Sequence, residues 1–576
     1  MQIIRKHKKI FFSLFFLLFF LLLFPPAWQF GRSLFVNQQF RACTKKIFQA
    51  DVSGNPLNLH YTLAYPEASG IEDYTLSLGT IDPAMVSAQK IQLENRRSLI
   101  QSFPSDLLTK ENQLTQKALT LYYETELLPA NQYLLDEYLS PSLGSQAQLP
   151  ILLAEYSFRK EQDVQNYLKL LTSVDTYLES ILSFEKWKAQ NGTFMSDTTV
   201  DRIIQQCSTF IEHPEEHYLD VVFTEKLQEL SKISDTKKNA YQKLHRQILS
   251  GQVLPAYQKL IDGLYLLKGS GKNPGGLCNF SGGTSYYEYL IKSTCGVYES
   301  VPEIQTRLIT QFQSDLAAIS SLVNPSASPS TTAAASQSEE HTILETLQKQ
   351  MQNDFPSAPS VSYEIKYVPE SLEEYLSPAF YLTPPIDTLS PNAIYINRHA
   401  NLEGLELYTT LAHEGFPGHL YQTIFFASSH PDPIRHLLPM GGYIEGWATY
   451  AESFAYSYAS SSNGTLAWLN RSLNLCILSL LDTGIHYNGW TPQRCNLFLS
   501  QLGITDSETQ QEIYQVILED PTNYLKYYLG YLHFLDLQTA ARETQGEDFQ
   551  LRSFHRSILL AGPCQFPVLE EYLALN

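Results

Sequence analysis

The sequence predicts a mainly α-helical fold, arranged in two or more domains or in one large helical body. The chain has 576 residues, of which 44% are hydrophobic, and this is enough for a sizeable buried core. Residues 159–190 repeat apolar side chains every three or four positions, as the buried stripe of a helix does, and residues 214–268 and 301–323 share this pattern. Strand-like alternation is scarce. The segment NAIYIN at 392–397 is the one short strand that we predict.

The first 30 residues differ from the rest of the chain. Four basic residues at positions 5, 6, 8 and 9 precede an apolar run from Ile10 to Phe24, which Pro25 and Pro26 end. A basic flank before such a run is typical of an export signal. We predict that residues 1–30 form an uncleaved signal-anchor, with one pass through the cell membrane and the rest of the chain outside the cytoplasm. The alternative is a cleaved signal peptide and a secreted protein.

Two regions and a linker follow this N-terminal segment. Residues 31–323 are predicted to form an N-terminal helical region, and residues 341–576 contain all the motifs that predict chemistry. Between them, the sequence NPSASPSTTAAASQSEE at 324–340 has no large apolar side chain to bury, so we predict a flexible linker or loop. A long surface loop costs little free energy, and the two regions can therefore still fold as one body.

The charge of the chain excludes one class of partner. The 59 acidic and 40 basic residues give a formal net charge of -19. Binding to the phosphate backbone of nucleic acids needs a basic surface, so we expect no nucleic-acid partner.

The segment LAHEGFPGHLYQ at 411–422 predicts a metal site. In the HExxH pattern, two histidines one helical turn apart bind zinc and the glutamate beside the first acts as general base. Here His419 follows His413 by six residues, which is about 600° on a regular helix and would separate the two side chains. Pro417 and Gly418 allow a widened turn that absorbs two residues. We therefore predict a distorted helix at 415–418 and a Zn²⁺ site with Glu414 as general base.

A third ligand is predicted in GGYIEGWATYAES at 441–453. Glu445 and Glu452 are seven residues apart, so on a helix they lie on the same face. Catalytic zinc takes three protein ligands and keeps a fourth position open, and Glu445 is the natural third ligand. Glu452 is predicted to orient one of the histidines by a hydrogen bond. The alternative for Glu452 is an ordinary exposed acid.

Four sequence blocks, in the same order, resemble those of the bacterial domain-of-unknown-function 885 family, which is grouped with zinc peptidases that use two histidines and one glutamate. The resemblance runs from about residue 270 to the C-terminus. It implies that His413, His419 and Glu445 bind Zn²⁺ and that Glu414 is the base. The four blocks are HEGFPGHLYQ (413–422), EGWATYAE (445–452), DTGIH (482–486) and PTNYLKYYLG (521–530).

The same resemblance implies two further catalytic residues. His486 and Tyr527 would approach the substrate carbonyl, where an imidazole or a phenol can stabilise developing negative charge by a hydrogen bond. Asp482, four residues before His486, would hold the imidazole in one tautomer if the segment is helical. Tyr527 lies in a tyrosine-rich run, so a place in the core is the alternative for it.

The family resemblance also implies the fold around the site. It indicates a large helical, two-lobed, zincin-like peptidase with a small β-sheet beside the zinc helix. The strand at 392–397 would then be an edge strand that pairs with an extended substrate, with Tyr395 and Asn397 as substrate-binding residues. A purely structural strand is the alternative.

Together, these features predict an exported, membrane-anchored zinc peptidase that hydrolyses short peptides with a metal-activated water. Two alternatives stay open. One is a non-catalytic, cell-surface peptide-binding protein with the same fold, and the other is a metallohydrolase of non-peptide amides or esters.

Overall fold

A computed structural model describes residues 29–129, 132–322, 340–368, 373, 376–459 and 462–574. The predicted signal-anchor, apart from residues 29 and 30, and the predicted linker, apart from residue 340, lie outside these ranges. Within the ranges, no helix combines the length and the apolar character that a membrane crossing requires.

Helices dominate the structure. Of the residues that the structure describes, 72% are helical and 2% are in strands, so the prediction of a mainly α-helical fold is confirmed. The predicted helical segment 159–190 forms two helices, the segment 214–268 forms three, and the segment 301–323 forms one. In chain order the helices are α1 (residues 29–54), α2 (Pro56–Thr62), α3 (Val86–Gln101), α4 (Lys110–Glu126), α5 (Ser145–Glu155), α6 (Glu161–Leu171), α7 (Val174–Asn191), α8 (Asp197–Ile211), α9 (Tyr218–Glu229), α10 (Asp235–Ile248), α11 (Leu254–Leu267), α12 (Gly283–Leu290), α13 (Val301–Leu322), α14 (Glu340–Gln350), α15 (Gly404–Glu414), α16 (His419–Ser428), α17 (Gly441–Tyr458), α18 (Ser462–His486), α19 (Pro492–Gln501), α20 (Ser507–Glu519), α21 (Asn523–Gln545), α22 (Leu551–Ala561) and α23 (Phe566–Ala574).

A small three-stranded sheet accompanies the helices. Its strands are β1 (Glu364–Tyr367), β2 (Ala379–Leu382) and β3 (Ala393–Ile396), in the spatial order β1-β3-β2. Strand β3 pairs in parallel with β1 and antiparallel with β2. The predicted strand at 392–397 therefore exists, but it is the central strand. The prediction that it offers a free edge to a substrate was wrong, because both of its edges are already paired.

The sheet separates two hydrophobic clusters. The first cluster draws on residues 40–135 and 277–569, and the second on residues 139–264 with a few residues from elsewhere. Successive side chains of a strand point to opposite faces. Accordingly Ile394 and Ile396 of β3 belong to the first cluster, whereas Ala393 and Tyr395 belong to the second. A third, smaller cluster lies among α18, α19 and α20.

Helix α17 lies at the centre of the C-terminal half, in contact with α15, α16, α18 and α21. Its contact with α21 is backbone against backbone. A Cβ atom placed on Gly530 of α21 would lie 2.0 Å from the carbonyl oxygen of Gly442 and 2.7 Å from the Cα of Gly446, both in α17. Only glycine fits at such an approach. These glycines allow α21 to lie close to α17, the helix on which Glu445 and Glu452 lie.

Candidate metal centre

The predicted helix distortion is present, as a complete break between α15 and α16. Helix α15 ends at Glu414 and α16 begins at His419. Across the break, the Gly418 N–H donates to the carbonyl oxygen of Ala412 at 2.9 Å, and the Tyr421 N–H donates to that of Gly415 at 3.1 Å. Each of these bonds spans six residues instead of the usual four. The chain thus absorbs two extra residues, as predicted.

The tight break depends on Gly418 and on a tryptophan of α17. A Cβ atom on Gly418 would lie 1.8 Å from the carbonyl oxygen of His413, a distance that no side chain can occupy. The indole N–H of Trp447 donates to the carbonyl oxygen of Pro417 at 2.9 Å. Because Trp447 is fully buried in α17, this bond fastens the break to the helix that carries Glu445.

His413, His419 and Glu445 meet at one point. Their ligand atoms all lie within 4.8 Å of one another. Nε2 of His419 is 3.3 Å from Oε2 of Glu445, and Nε2 of His413 is 3.7 Å from the same oxygen. Ligand atoms about 2.0–2.2 Å from a tetrahedral zinc ion are about 3.3–3.6 Å apart. The donor types therefore fit Zn²⁺, and the two nitrogen–oxygen distances lie in this range or just above it.

Glu452 lies behind His413 and fixes its ring. Its Oε1 is 2.6 Å from Nδ1 of His413. With a proton on Nδ1 donated to this carboxylate, Nε2 carries its lone pair toward Glu445 and His419, as a metal ligand must. The other side of the Glu452 carboxylate accepts a hydrogen bond from Nε of Arg471 in α18 at 3.2 Å. Arg471 was not predicted from the sequence.

The charges of the cluster reinforce one another. Burial opposes ionisation of Glu445, but hydrogen bonds from His413 and His419 hold its pKa well below the usual range. Burial likewise opposes a charge on His413, yet its hydrogen bonds to Glu445 and Glu452 raise its pKa to about 10. The two carboxylates thus favour positive charge on the His413 ring, and a metal ion bound by Nε2 would take the place of the proton there.

The proposed base, Glu414, points toward strand β2. Its Oε2 accepts a hydrogen bond from the backbone N–H of Tyr381 at 2.8 Å. Burial raises the pKa of Glu414, and the nearby His413 and His419 act in the opposite direction. The Tyr381 N–H is directed away from β3, so the outer edge of β2 runs beside Glu414. Tyr381 too was not predicted, since a backbone donor leaves no mark in the sequence.

Tyr527 reaches the cluster from α21. Its ring centroid is 6.3 Å from that of His413, with 26° between the ring planes. The side chain is half-buried. Burial and the charges of Glu445 and Glu414 raise its pKa, so the phenol keeps its proton at neutral pH. Tyr527 is therefore placed beside the site with a proton to donate.

His486 and Asp482 have other partners in the structure. Nε2 of His486 lies 2.9 Å from the carbonyl oxygen of Ile517, and its Nδ1 accepts from the Leu277 N–H at 3.3 Å. Asp482 accepts hydrogen bonds from the Tyr287 hydroxyl and from the Thr522 N–H. The predicted pairing of Asp482 with His486 is absent. Both nitrogens of His486 are used by the backbone, which leaves none for a substrate carbonyl.

Tyr395 and Asn397 also contact the fold. The Tyr395 hydroxyl donates to Glu155 at 2.8 Å, and the Asn397 amide donates to the carbonyl oxygens of Glu373 and Leu376. Both residues are buried. Because β3 is central, these side chains lie inside the protein, and their predicted contact with a substrate is not supported.

The solved structures that resemble this fold include those of two candidate lipoproteins. A crystal structure of a candidate lipoprotein from Colwellia psychrerythraea matches with a TM-score of 0.84 and 19% identity, over 94% of this chain and 99% of that one. A candidate lipoprotein of unknown function from Shewanella oneidensis matches with a TM-score of 0.65 and 16% identity, over 93% of this chain and 100% of that one. At these identities the similarity shows the fold alone. No curated protein sequence matches the chain.

The family resemblance of the four sequence blocks is confirmed, and it extends further toward the N-terminus than those blocks indicated. The family model described as "Bacterial protein of unknown function (DUF885)" matches residues 67–573, which includes the candidate metal centre, the sheet and most of the helices that precede them. The chain therefore belongs to the DUF885 family.

Proposed function

We propose that this protein is a zinc-dependent peptidase that hydrolyses short peptides. One observation carries the proposal: the convergence of His413, His419 and Glu445, with Glu452 bound to the far side of His413. A histidine oriented by a buried carboxylate is typical of metal sites. A zincin-like, two-lobed fold is part of the proposal, and the two hydrophobic clusters on either side of the sheet support it.

The residues around the cluster suit a hydrolysis. A zinc ion held by the three ligands would supply Lewis-acid chemistry to the site. Glu414 would take a proton from the attacking water and pass it to the leaving amine. Tyr527 would donate a hydrogen bond to the carbonyl oxygen as negative charge develops on it. Glu452 and Arg471 would keep His413 in its ligand orientation.

The outer edge of β2 supports a peptide as the substrate. Strand β2 is an edge of the sheet, and its Tyr381 N–H already points to Glu414. An extended peptide can add to such an edge by main-chain hydrogen bonds, which do not depend on the peptide's sequence. In this proposal β2 takes the role that the sequence had suggested for β3.

The proposed location is outside the cytoplasm, attached to a membrane. The apolar run Ile10–Phe24 behind a basic flank is typical of an exported protein. The two similar structures are described as candidate lipoproteins, a class held at membranes. Both observations support export, and the apolar run is the proposed means of attachment.

Glu414 separates this proposal from one of its two rivals. A non-catalytic peptide-binding protein has no use for a buried carboxylate beside a metal. A hydrolase of non-peptide amides or esters would need the same carboxylate, and only the choice of substrate distinguishes it from a peptidase.

Metal analysis combined with cleavage of a mixed peptide pool tests the proposal. The purified full chain should hold about one zinc ion, and His413→Ala should lose it. Glu414→Gln should keep the zinc and lose at least about 100-fold in cleavage rate. Glu406→Gln, an exposed change in the same helix, is the control and should leave both unchanged. Zinc without any cleavage of the pool would favour a rival, and absence of zinc in the wild type would overturn the proposal.

A further inference from the structure

The N-terminal end of α1 exposes three large apolar side chains on one side of the helix. Phe30, Leu34 and Phe35 are 67%, 57% and 60% exposed. At 100° per residue they lie within an arc of about 140° on one side of the helix. Scattered apolar side chains are normal on a protein surface, but a contiguous patch of this kind indicates an interaction site.

The orientation of this helix is fixed by its opposite side. Ser33 and Asn37 both donate hydrogen bonds to the carbonyl oxygen of Leu107, at 2.7 Å and 2.9 Å. Phe40, one turn further along, is fully buried in the first hydrophobic cluster. The apolar patch is therefore held outward by a helix that is docked on the protein.

Basic residues accompany the patch. Arg32, Lys45 and Lys46 of α1 are exposed, in a chain whose formal net charge is -19. Lys45 and Lys46 fall on the same side of the helix as the apolar patch. Arg41, also on this side, is neutralised by Glu111 at 3.1 Å. Apolar side chains flanked by lysine and arginine are the composition that binds the surface of a membrane with anionic lipids.

The position of the patch in the chain restricts where it can lie. Phe30 follows the end of the apolar run at Phe24 by six residues. Six residues span at most about 20 Å, even when fully extended. If the apolar run enters a bilayer, the first turn of α1 must lie close to the lipid headgroups.

We propose that Phe30, Leu34 and Phe35 lie in the surface of a phospholipid bilayer, with Arg32, Lys45 and Lys46 among anionic headgroups. The inference does not depend on peptidase activity, but it rests on the proposed attachment of the apolar run Ile10–Phe24 to a membrane. It adds a second membrane contact to the apolar run, and two contacts fix the orientation of the folded body relative to the membrane.

Depth-dependent fluorescence quenching tests this contact in the full chain. A fluorescent amino acid is introduced by codon suppression at position 34, or at position 266 as a control, because Leu266 is 84% exposed in α11. The chain is reconstituted into vesicles of phosphatidylcholine and phosphatidylglycerol that contain brominated lipid. Bromine quenches only nearby fluorophores, so we expect quenching at 34 to exceed that at 266 at least about twofold. Replacing Arg32, Lys45 and Lys46 by glutamine should weaken the quenching at 34.

Three results would overturn the proposal. The first is no quenching at position 34 in vesicles that retain the chain on sedimentation. The second is equal quenching at 34 and 266, which would show contact without preference for α1. The third is a concentration-dependent blue shift at 34 in detergent without lipid vesicles, because the patch would then be covered by a second copy of the chain.

Discussion

Nδ1 of His413 and Oε1 of Glu452 are 2.6 Å apart, although the residues lie on different helices and 39 positions apart in the sequence. The carboxylate is almost fully buried, and it is neutralised on its other side by Arg471. A buried carboxylate without such partners would be costly. The arginine, the carboxylate and the imidazole thus form a chain that ends at the lone pair of Nε2, where a metal ion would bind.

Replacing Glu452 by glutamine should weaken zinc binding by about 10- to 100-fold, because the amide cannot accept as strong a hydrogen bond and leaves Arg471 unpaired. Competition with a fluorescent chelator measures the affinity. Glu406→Gln serves as the control, since Glu406 is exposed on the helix that carries His413. Unchanged affinity in Glu452→Gln would contradict an orienting role for this residue.

Gly418→Ala should disrupt the candidate metal centre, because the new side chain would clash with the backbone. The added methyl would lie 1.8 Å from the carbonyl oxygen of His413, so α15 and α16 must move apart. We expect loss of bound zinc and a loss of stability of about 2 kcal/mol or more, measured by metal analysis and thermal unfolding.

Gly251→Ala is the control for this change, because a Cβ atom on Gly251 meets no other atom within 4 Å. It should keep zinc and be at least as stable as the wild type, because Gly251 lies in a helical segment, where alanine is favoured over glycine. If Gly418→Ala also kept both, the break at 415–418 would not determine the position of His419.

The convergence of the proposed metal ligands could be predicted from the sequence because their spacing carries the information. His413 and His419 are too far apart for an unbroken helix, and Pro417 and Gly418 signal where the helix must break. Glu445 and Glu452 share a face by simple helical period. Arg471, by contrast, contributes through the packing of α18 on α17, and the order of helices in space has no local signature.

The errors have the same physical origin. Residues 392–397 alternate as a strand should, but alternation does not tell whether a strand is central or at an edge. The interval from Asp482 to His486 allows a contact along one helix. Instead, both side chains form hydrogen bonds with residues that are distant in the sequence. Tyr287 and Thr522 donate to Asp482, whereas His486 bonds to the backbone.

His486→Ala should reduce stability without removing zinc from the folded protein. It leaves the Leu277 N–H and the Ile517 carbonyl group without their partner, at a cost of about 2–4 kcal/mol. Burial lowers the pKa of His486 from 6.5 to about 4. Its contribution is thus complete above pH 6.5 and is lost as the pH falls toward 4, so the wild type and the variant should converge in melting temperature at low pH.

Exposed His399 provides the control for that experiment. His399→Gln should change neither the melting temperature nor its dependence on pH. Loss of peptide cleavage in fully folded, zinc-loaded His486→Ala would contradict the structural role and restore His486 as a catalytic candidate.

A second pH-dependent effect is expected far from the metal centre, at Glu185 in α7. Both oxygens of this fully buried carboxylate lack a hydrogen-bond partner, and the ammonium of Lys188 is 4.0 Å away. Lys188 makes a closer ion pair with Glu137. Burial therefore raises the pKa of Glu185 from 4.5 to about 8. In the unfolded chain this group loses its proton near pH 4.5, whereas the folded protein retains it until about pH 8.

Folding consequently takes up a proton between these two pH values, and the free energy of unfolding falls as the pH rises through this window. Glu185→Gln mimics the protonated acid and removes the penalty. It should leave stability near that of the wild type at pH 4.5 and raise it by about 2 kcal/mol or more at pH 8. Glu179→Gln, an exposed change in the same helix, should show no such growth with pH. Equal effects of Glu185→Gln at both pH values in urea unfolding would mean that Lys188 keeps this carboxylate ionised throughout.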